Sequence, residues 1–487
     1  MQPSAETAKP ARVTWPVLLG FGQLAVPLAF ASLPIAIFVT RFYAQDLQIG
    51  IADVGFILLV ARLADIIVDP IIGFVSDKLK LPFGRRRSWV LLGAPVFALG
   101  VYMLFLPPTS LAEASEDARR LYLLTWIAVF YLGWTMITIA YGAWGAELSD
   151  DYNERSSITG VREVFTLLGL GVAGAIPVIV GVPQEVCVDG AVQIQQNGQG
   201  GYWQIMQVMG ITIIALVPVA LAFLYLTTPE PPVREEKHIS FIKGAKVAAT
   251  NLPFVNLFFI TLGIRMGSRA VEGLLTFYLV SAVMFTEQQA SSAVLALLVP
   301  AIVFAPFWIW AGKAWTKHKA LAIALFIGTL TFCVLPFLRD AGYVVNLLAF
   351  AVLGSVFSAP FTLGQSMAAD VIDLDSLKSR QPRAGLLISF FQLAVKAGDA
   401  IGVGVSLMLV GWLGFIARKC AVNTPEAIDA LANVYVLFPI VLWVPAMILL
   451  WNFPITPAVQ KRIRRLIERR IAIEEQVRKR RQAAHTT

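Results

Sequence analysis

Residues 203–227 read WQIMQVMGITIIALVPVALAFLYLT, a run without a charged side chain. As a helix this run is about 37 Å long, which exceeds the roughly 30 Å hydrocarbon core of a bilayer. The next residues, 228–249, read TPEPPVREEKHISFIKGAKVAA and are polar. An uncharged run of this length that ends in a polar linker predicts a helix that spans a membrane.

Composition extends this interpretation to the whole chain. Of its 487 residues, 57% are hydrophobic and only 14% are charged, whereas soluble proteins carry about 25% charged residues. Mean hydropathy is +0.72. Lipid must therefore be the solvent for much of the surface, which excludes a soluble enzyme, a disordered chain and a nucleic-acid-binding protein. Three cysteines are too few for a disulfide scaffold.

Other runs have the same length and polarity, and the linker at 228–249 divides a total of twelve spans into six and six. Two six-helix halves resemble the major facilitator fold, an all-α membrane architecture with its cavity near the bilayer midplane. We expect an N-terminal segment at 1–14, halves at 15–227 and 250–452, and a basic tail at 453–487. The predicted spans are 15–40, 51–75, 89–107, 120–146, 160–182, 203–227, 252–283, 289–311, 320–337, 343–366, 384–413 and 430–452.

Lysine and arginine are distributed unequally between the two sides of the membrane. With the N-terminus inside, the inner segments carry 28 of them and the outer loops carry 6. Because positive charge accumulates in cytoplasmic loops, we expect both termini in the cytoplasm, with the chain in the plasma membrane or, in a Gram-negative cell, the inner membrane. The tail mixes apolar and basic residues. It is either an interfacial helix on anionic lipid or a solvated tail that fixes topology.

A pair of acids lies in span two, which reads ARLADIIVDP at 61–70. Asp65 and Asp69 are four residues apart, so a helix places them on one face, about 6 Å apart along its axis. Two carboxylates this close in a low dielectric repel each other unless one holds a proton or a cation lies between them. The pair predicts a coupling site for Na⁺ or H⁺. The alternative is that Arg62, or Lys396 from another span, neutralises one acid as a fixed brace.

A second polar motif follows span two at the predicted inner surface and reads GFVSDKLKLPFGRRR at 73–87. Aspartate and arginine side chains here can form charge-assisted bonds with a neighbouring helix end. We expect Asp77 and Arg85 to brace an inner gate, together with Arg155 of the motif DYNER. Positive charge that only fixes topology is the alternative, although it does not account for Asp77.

The order and spacing of these motifs resemble the glycoside–pentoside–hexuronide:cation symporter family of the major facilitator superfamily. The shared elements are the acids and proline of span two, the GRRR motif, AEL at 146–148, DYNER at 151–155, Arg162, ADVID at 369–373 and SFFQLAVK at 389–396. The resemblance implies that Asp65 and Asp69 bind the coupling cation. It also implies that Arg162, Lys396 and Trp144 lie at the substrate site.

The sequence departs from the family at two positions. Two acids that bind sugar in the family correspond here to Pro27 and Ala140, whose side chains cannot accept a hydrogen bond from a hydroxyl. The same branch includes sodium-coupled carriers of lysophospholipids. The resemblance therefore implies a cation-coupled symporter of a glycoside or related polar solute. A lysophospholipid, another amphiphile or an anionic glycan is the alternative substrate.

Span seven adds a charged motif, GIRMGSRAVEG at 263–273. Arg265, Arg269 and Glu272 can share one helical face. The two arginines either contact an anionic group of the substrate or form an ion-pair brace between helices. Gln365 is expected to line the cavity as a polar residue.

Transport competes with two other classes of function. A membrane-embedded enzyme for lipid-linked substrates needs a nucleophilic, acid–base or metal constellation near the interface, and a receptor needs no coupling acids. The paired acids in mid-span favour a transporter, and with no Walker motif ATP is not the expected driver. We expect no enzyme activity, no cofactor or metal beyond the coupling cation, a small-molecule substrate, contact with membrane lipid, no nucleic-acid partner, and a monomer.

Two cysteines fall in equivalent outer loops of the two halves, Cys187 and Cys420. In an oxidising exterior they either form a disulfide between the halves or remain free thiols.

Overall fold

The structure is a computed structural model that describes most of the chain. The described residues are 14–79, 84–149, 152–181, 185–188, 191–194, 202–230, 248–379, 384–418, 420–456 and, in the tail, 458–463, 465–467, 469 and 476. The side chains of residues 77, 78, 152, 153, 155, 156, 185–188, 191–194, 379, 384 and 385 lie outside this description. The central linker is described only at its two ends.

Long helices make up most of the described chain. They are α1 (Trp15–Gln23), α2 (Ala25–Gln45), α3 (Ile51–Lys78), α4 (Arg85–Phe105), α5 (Glu116–Glu147), α6 (Tyr152–Val180), α7 (Tyr202–Thr227), α8 (Leu252–Phe277), α9 (Glu287–Ala314), α10 (Lys317–Val334), α11 (Tyr343–Ser379), α12 (Ala384–Trp412) and α13 (Pro425–Trp451). A π-helical turn at Tyr278–Ala282 continues α8. An antiparallel hairpin of β1 (Glu185–Val188) and β2 (Ala191–Ile194) lies between α6 and α7 and is not predicted by the sequence.

The predicted all-helical, multi-pass architecture is confirmed. Within the described residues, eleven helical segments can cross a membrane by length and composition. The remaining predicted span, α3, has 28 residues and is long enough, but it differs from the other eleven in carrying Arg62, Asp65 and Asp69 in its middle. α1 and α2 together form span one. They are separated at Leu24 because Pro27 has no amide hydrogen to donate to the Gln23 carbonyl.

One of two compact units contains residues Met1–Glu236, Ala270–Leu298 and Val403–Tyr435. Its helices approach closely at glycines. A Cβ atom added at Gly133 of α5 would lie 2.3 Å from the Phe97 nitrogen of α4. A Cβ atom added at Gly404 of α12 would lie 2.5 Å from the Leu59 Cβ of α3. This unit therefore joins the first-half spans to the segments of α8, α9, α12 and α13 that are remote from the termini.

The other unit contains residues Lys237–Arg269, Val299–Gly402 and Val436–Thr487. Trp443 of α13 is buried at its centre. The indole Nε1 donates to the Ile264 carbonyl at 3.3 Å, and the ring lies against Phe332 and Phe357 with centroids 5.6 and 5.9 Å away. The Trp443 side chain thus links α8, α10, α11 and α13.

α11 differs from its predicted extent, and the basic tail leaves both of its predicted roles open. α11 continues to Ser379 rather than ending near 366, because acids of its last turns are buried with partners inside the protein, Asp370 with Lys317 and Asp375 with Asn251. In the tail, helical residues begin at 458, with Ile463 buried and Leu466 exposed. Both predicted roles for the tail are compatible with this placement.

Candidate cation site and ion-pair networks

The two acids of span two meet one hydroxyl group. Asp65 is 4% exposed, and Thr135 of α5 donates to its Oδ1 atom. The same Thr135 Oγ1 lies 3.1 Å from Asp69 Oδ1. A threonine hydroxyl has one hydrogen and can donate it to only one carboxylate at a time. The second contact is favourable only when a carboxyl is protonated or a cation lies beside the three oxygens.

Arg62 lies at the edge of this site. Its Nη1 atom is 3.9 Å from Asp65 Oδ2, the limit of an ion pair. Its guanidinium stacks over the ring of Tyr131, with Cζ 4.1 Å from the ring centroid. Arg62 therefore divides its interactions between an aromatic face and one acid. The structure brings Asp65, Asp69 and Arg62 together as predicted. Thr135 was not predicted.

A dense ion-pair cluster lies at the ends of α4, α5 and α7 on the side of the termini. Glu147 accepts from Arg85 at 2.8 Å and from Arg86 at 2.6 Å. Glu230 accepts the backbone N–H groups of Arg86 and Arg87 at 2.7 and 3.1 Å, which satisfies the first turn of α4. We call residues 85–87, Trp144, Glu147, Tyr225 and Glu230 the N corner. Arg85 forms an ion pair here, and its role in a gate stays a prediction.

Trp144 is a structural member of the N corner. It is fully buried and its indole Nε1 donates to the Pro229 carbonyl at 2.9 Å. The Arg87 guanidinium lies 5.9 Å from its ring. The single donor of the indole is therefore used within the protein, and the role of Trp144 at a substrate site stays a prediction.

Arg265 and Arg269 converge on one carboxylate. Arg265 of α8 donates from Nε and Nη2 to the two carboxylate oxygens of Asp399 of α12, at 2.8 and 2.7 Å. Arg269 Nε lies 3.1 Å from the same carboxylate. Of the two predicted roles, the ion-pair brace is the one the structure forms. The substrate contact of these arginines stays a prediction, while their charge and fork geometry are directed at Asp399.

A related cluster lies where α10 begins and α11 and α13 end. Lys317 Nζ binds Asp370 at 2.6 Å, and Gln460 of the tail donates to Asp370 as well. Lys319 Nζ lies 5.8 Å from the Trp451 ring. We call Lys313, residues 317–319, Asp370, Trp451 and Gln460 the C corner. A cavity of about 210 Å³ opens here.

At the end remote from the termini, Arg41 is fully buried. It pairs with Glu287 and donates to the Thr276 carbonyl at 2.8 Å and to Gln45 at 2.8 Å. Tyr202 donates its hydroxyl hydrogen to the other oxygen of Glu287 at 2.8 Å. This outer latch of Arg41, Glu287, Tyr202 and Thr276 joins α2 and α7 to α8 and α9. Arg41 follows the predicted span 15–40 and is therefore predicted to be an outer-loop charge. The structure corrects that placement, because Arg41 lies within α2 and is buried.

Three further residues predicted to bind substrate lie on α6, α11 and α12. Arg162 is half-buried and lies 3.1 Å from Glu163. Gln365 is exposed on α11, and Lys396 is half-buried on α12. The side chains of Asp77 and Arg155 lie outside the described residues, so their gate roles stay predictions.

The cysteines are partly described. Cys420 is disulfide-bonded, and Cys333 is a free thiol. The side chain of Cys187, the predicted partner of Cys420, lies outside the described residues. The pairing of Cys187 with Cys420 therefore stays a prediction.

Two solved structures align with this fold over most of the chain. The crystal structure of the nucleoside transporter NupG aligns with a TM-score of 0.60 at 14% identity, over 89% of this chain and 98% of that one. A bacterial homolog of the human lysosomal transporter Spinster, in an inward-facing and unoccupied conformation, aligns with a TM-score of 0.60 at 14% identity, over 92% and 96%. The fold is that of a major facilitator transporter.

The chain belongs to the MFS/sugar transport protein family, whose profile matches residues 20–457. An uncharacterized symporter of Synechocystis sp. is 24% identical over 90% of this chain and 93% of its own. The sodium-dependent lysophosphatidylcholine symporter 1 of Xenopus tropicalis is 25% identical over 88% and 86%. The uncharacterized symporter YnaJ of Bacillus subtilis is 24% identical over 88% and 88%. Family and relatives are transporters rather than enzymes, as the sequence predicts.

Proposed function

We propose that this chain is a secondary transporter that couples the downhill entry of a cation to the movement of an organic solute. The observation that carries the proposal is the sharing of one Thr135 hydroxyl hydrogen between Asp65 and Asp69. Two carboxylates that meet at one hydroxyl group repel each other and form a site that favours a bound cation. Oxygen ligands suit a hard ion, and the sodium-dependent relatives favour Na⁺ over H⁺.

Coupling follows from the charge of the acid pair. An empty pair of carboxylates in a low dielectric repels itself and holds α3 away from its most compact packing on α5. Cation binding removes this repulsion and stabilises one arrangement of α3 against α5. Substrate that binds only this arrangement would then be carried together with the cation.

Alternating access needs ion pairs that open and close at each end. The outer latch closes the end remote from the termini by a buried pair, Arg41 and Glu287. The N corner holds α4 to α5 on the other side through Arg85, Arg86 and Glu147. Breaking either network exposes its charged groups to water, and their hydration offsets part of the free energy that is lost with the ion pairs. We propose that the outer latch opens in the state that admits substrate from outside.

The first candidate substrate is a glycoside or a related polar solute. This candidate is supported by the family of the chain, which is described as an MFS/sugar transport protein family. Arg162 and Lys396 are the side chains we assign to substrate, with Gln365 as a polar neighbour. Arg265 and Arg269 are not assigned, because Asp399 already binds both.

A lysophospholipid is the second candidate. Its support is the group of sodium-dependent lysophosphatidylcholine symporters among the relatives, including those of Xenopus tropicalis and Mus musculus. By the family resemblance Pro27 and Ala140 occupy the positions of two sugar-binding acids, and both residues are apolar and buried. An apolar wall accommodates an acyl chain better than a sugar hydroxyl.

The cellular setting completes the proposal. We propose a monomer in the plasma membrane with both termini in the cytoplasm, since lysine and arginine are concentrated on that side. We expect no cofactor beyond the coupling cation.

The test is uptake by the full chain in proteoliposomes under an imposed Na⁺ or H⁺ gradient. Glycosides, uronates and lysophospholipids are offered in turn. Asp65→Asn should abolish gradient-driven uptake. Asp53→Asn is the matched control, because Asp53 lies on the same helix but pairs with Arg120 at 2.8 Å. Uptake that persists in Asp65→Asn, or that ignores both gradients, would overturn the proposal.

A further inference from the structure

The N corner and the C corner are built on one plan. α4 begins with RRR at 85–87, and α10 begins with KHK at 317–319. The first residue of each triplet binds an acid near the end of a long helix: Arg85 binds Glu147 and Lys317 binds Asp370. The last residue of each triplet stacks on an aromatic ring, as Arg87 does on Tyr225 and Lys319 on Trp451.

The two corners differ in one carboxylate. In the N corner Glu230, five residues beyond Tyr225, accepts two backbone N–H groups at the start of α4. The matching position beyond Trp451 is Thr456, which has no charge. Thr456 instead accepts the Val459 N–H at 3.4 Å and begins the tail helix.

At the start of α10 the Thr316 hydroxyl accepts the Lys319 N–H at 3.3 Å, and the C corner contains a cavity. It is about 210 Å³ in volume and is lined by Gly312, Lys313, Lys317, His318, Asp370 and Gln460, among others. Asp370 neutralises Lys317 at 2.6 Å. Within the described part of the chain Lys313 has no ion-pair partner, so the cavity retains a positive charge.

Exposed aromatic residues precede and follow Lys313 in sequence, at the end of α9 and just beyond it. Trp310 and Trp315 are 56% and 45% exposed, with ring centroids 6.2 Å apart. Lys313 follows Trp310 by three residues and therefore lies on the same helical face. Exposed tryptophan beside lysine is typical of the membrane–water interface, where basic pockets between helices bind lipid head groups.

We propose that the cavity of the C corner, which Lys319 does not line, binds the phosphate of an anionic phospholipid from the leaflet on the side of the termini, with Lys313 as its main charge. The lipid phosphate supplies a negative charge beside Lys313. The acyl chains lie along the surface of Trp310 and Trp315. A free phosphate ester has the same charge chemistry but makes no use of the aromatic surface.

The experiment is native mass spectrometry of the full chain titrated with phosphatidylglycerol or phosphatidylcholine. Wild type should bind a first phosphatidylglycerol in preference, and Lys313→Gln should weaken that first binding about fivefold, the effect of one lysine near a membrane surface. Lys319→Gln is the matched control, because Lys319 stacks on Trp451 and does not line the cavity. Inorganic phosphate and glycerol phosphate are added as soluble competitors.

Each outcome decides the proposal. Loss of the phosphatidylglycerol preference in Lys313→Gln, but not in Lys319→Gln, supports it. An unchanged preference in Lys313→Gln overturns it, and so does equal loss in both variants. Displacement of the lipid by millimolar soluble phosphate assigns the cavity to a soluble anion and overturns the lipid assignment. Because the readout is lipid binding, it is independent of whether the chain transports any solute.

Discussion

Two acid sites in this chain bind different kinds of group. Asp399, which is half-buried, is bound by two arginines, Arg265 through its Nε and Nη2 atoms and Arg269 at 3.1 Å. Asp65 and Asp69 meet the same Thr135 hydroxyl, and Arg62 Nη1 lies 3.9 Å from Asp65. An acid bound by two guanidinium groups holds helices together. Two neighbouring carboxylates repel each other and favour the uptake of a cation, which is the property that coupling needs.

The largest effect should come from removing an acid of the pair. Asp69→Asn is expected to lower ²²Na⁺ binding by more than about 100-fold, because the ion loses one of two carboxylates. Asp399→Asn should leave ²²Na⁺ binding within about threefold of wild type in protein that remains folded, since Asp399 is occupied by arginine. Scintillation proximity measurements on purified protein compare the two. Equal losses would remove the distinction between the sites.

The next effect concerns stability. Asp399→Leu should lower the free energy of unfolding by about 3–5 kcal/mol, because it leaves two partly buried arginines without their carboxylate. The triple variant Arg265→Met, Arg269→Met, Asp399→Leu should recover much of this loss. Thermal denaturation in detergent measures both. A wild-type melting temperature for Asp399→Leu, with substrate binding lost, would return the arginines to the substrate site.

A smaller effect is expected at the shared hydroxyl. Thr135→Val should raise the Na⁺ concentration for half-maximal uptake about tenfold, because a hydrogen bond to a charged group contributes about 1.5–3 kcal/mol. Thr135→Ser keeps the hydroxyl and should remain near wild type. Uptake rates against Na⁺ concentration give the comparison. If the valine and serine variants behave alike, the hydroxyl has no role at the site.

The smallest effect tests a third acid, Glu287 of the outer latch. Tyr202→Phe removes one hydrogen bond to Glu287 but leaves Arg41 in place, so opening should become easier by about 1 kcal/mol. The readout is the rate at which a cysteine introduced at Gln365, in a Cys333→Ser background, reacts with an impermeant maleimide from outside. We expect an increase of about fivefold. No change in rate would show that the latch does not limit access.

The sequence predicts the spans and the acid pair well because both depend on local properties. Uncharged runs set the helices, and a spacing of four residues places Asp65 and Asp69 on one face whatever surrounds them. Thr135 could not be found in this way, because its contact with α3 depends on how α3 packs against α5. A single threonine in an apolar span carries no pattern of its own.

Residues near helix ends were the hardest to interpret from sequence. Arg41 lies close to the end of its span and reads as a loop charge, yet the structure buries it between rings of Tyr202 and Phe277. Trp144 reads as a substrate aromatic and instead bonds Pro229. The correspondence between RRR and KHK is too short to indicate a repeat until the structure shows that both triplets begin equivalent helices.

One contact of the outer latch bears on how such a protein can change over generations. Arg41 donates to the main-chain carbonyl of Thr276, an atom that every amino acid supplies. The amino acid at position 276 can therefore change without loss of this hydrogen bond, provided that the helix persists. Selection falls instead on positions 41 and 287, whose charges are matched, and we expect exchanges at these two positions to occur together among descendants.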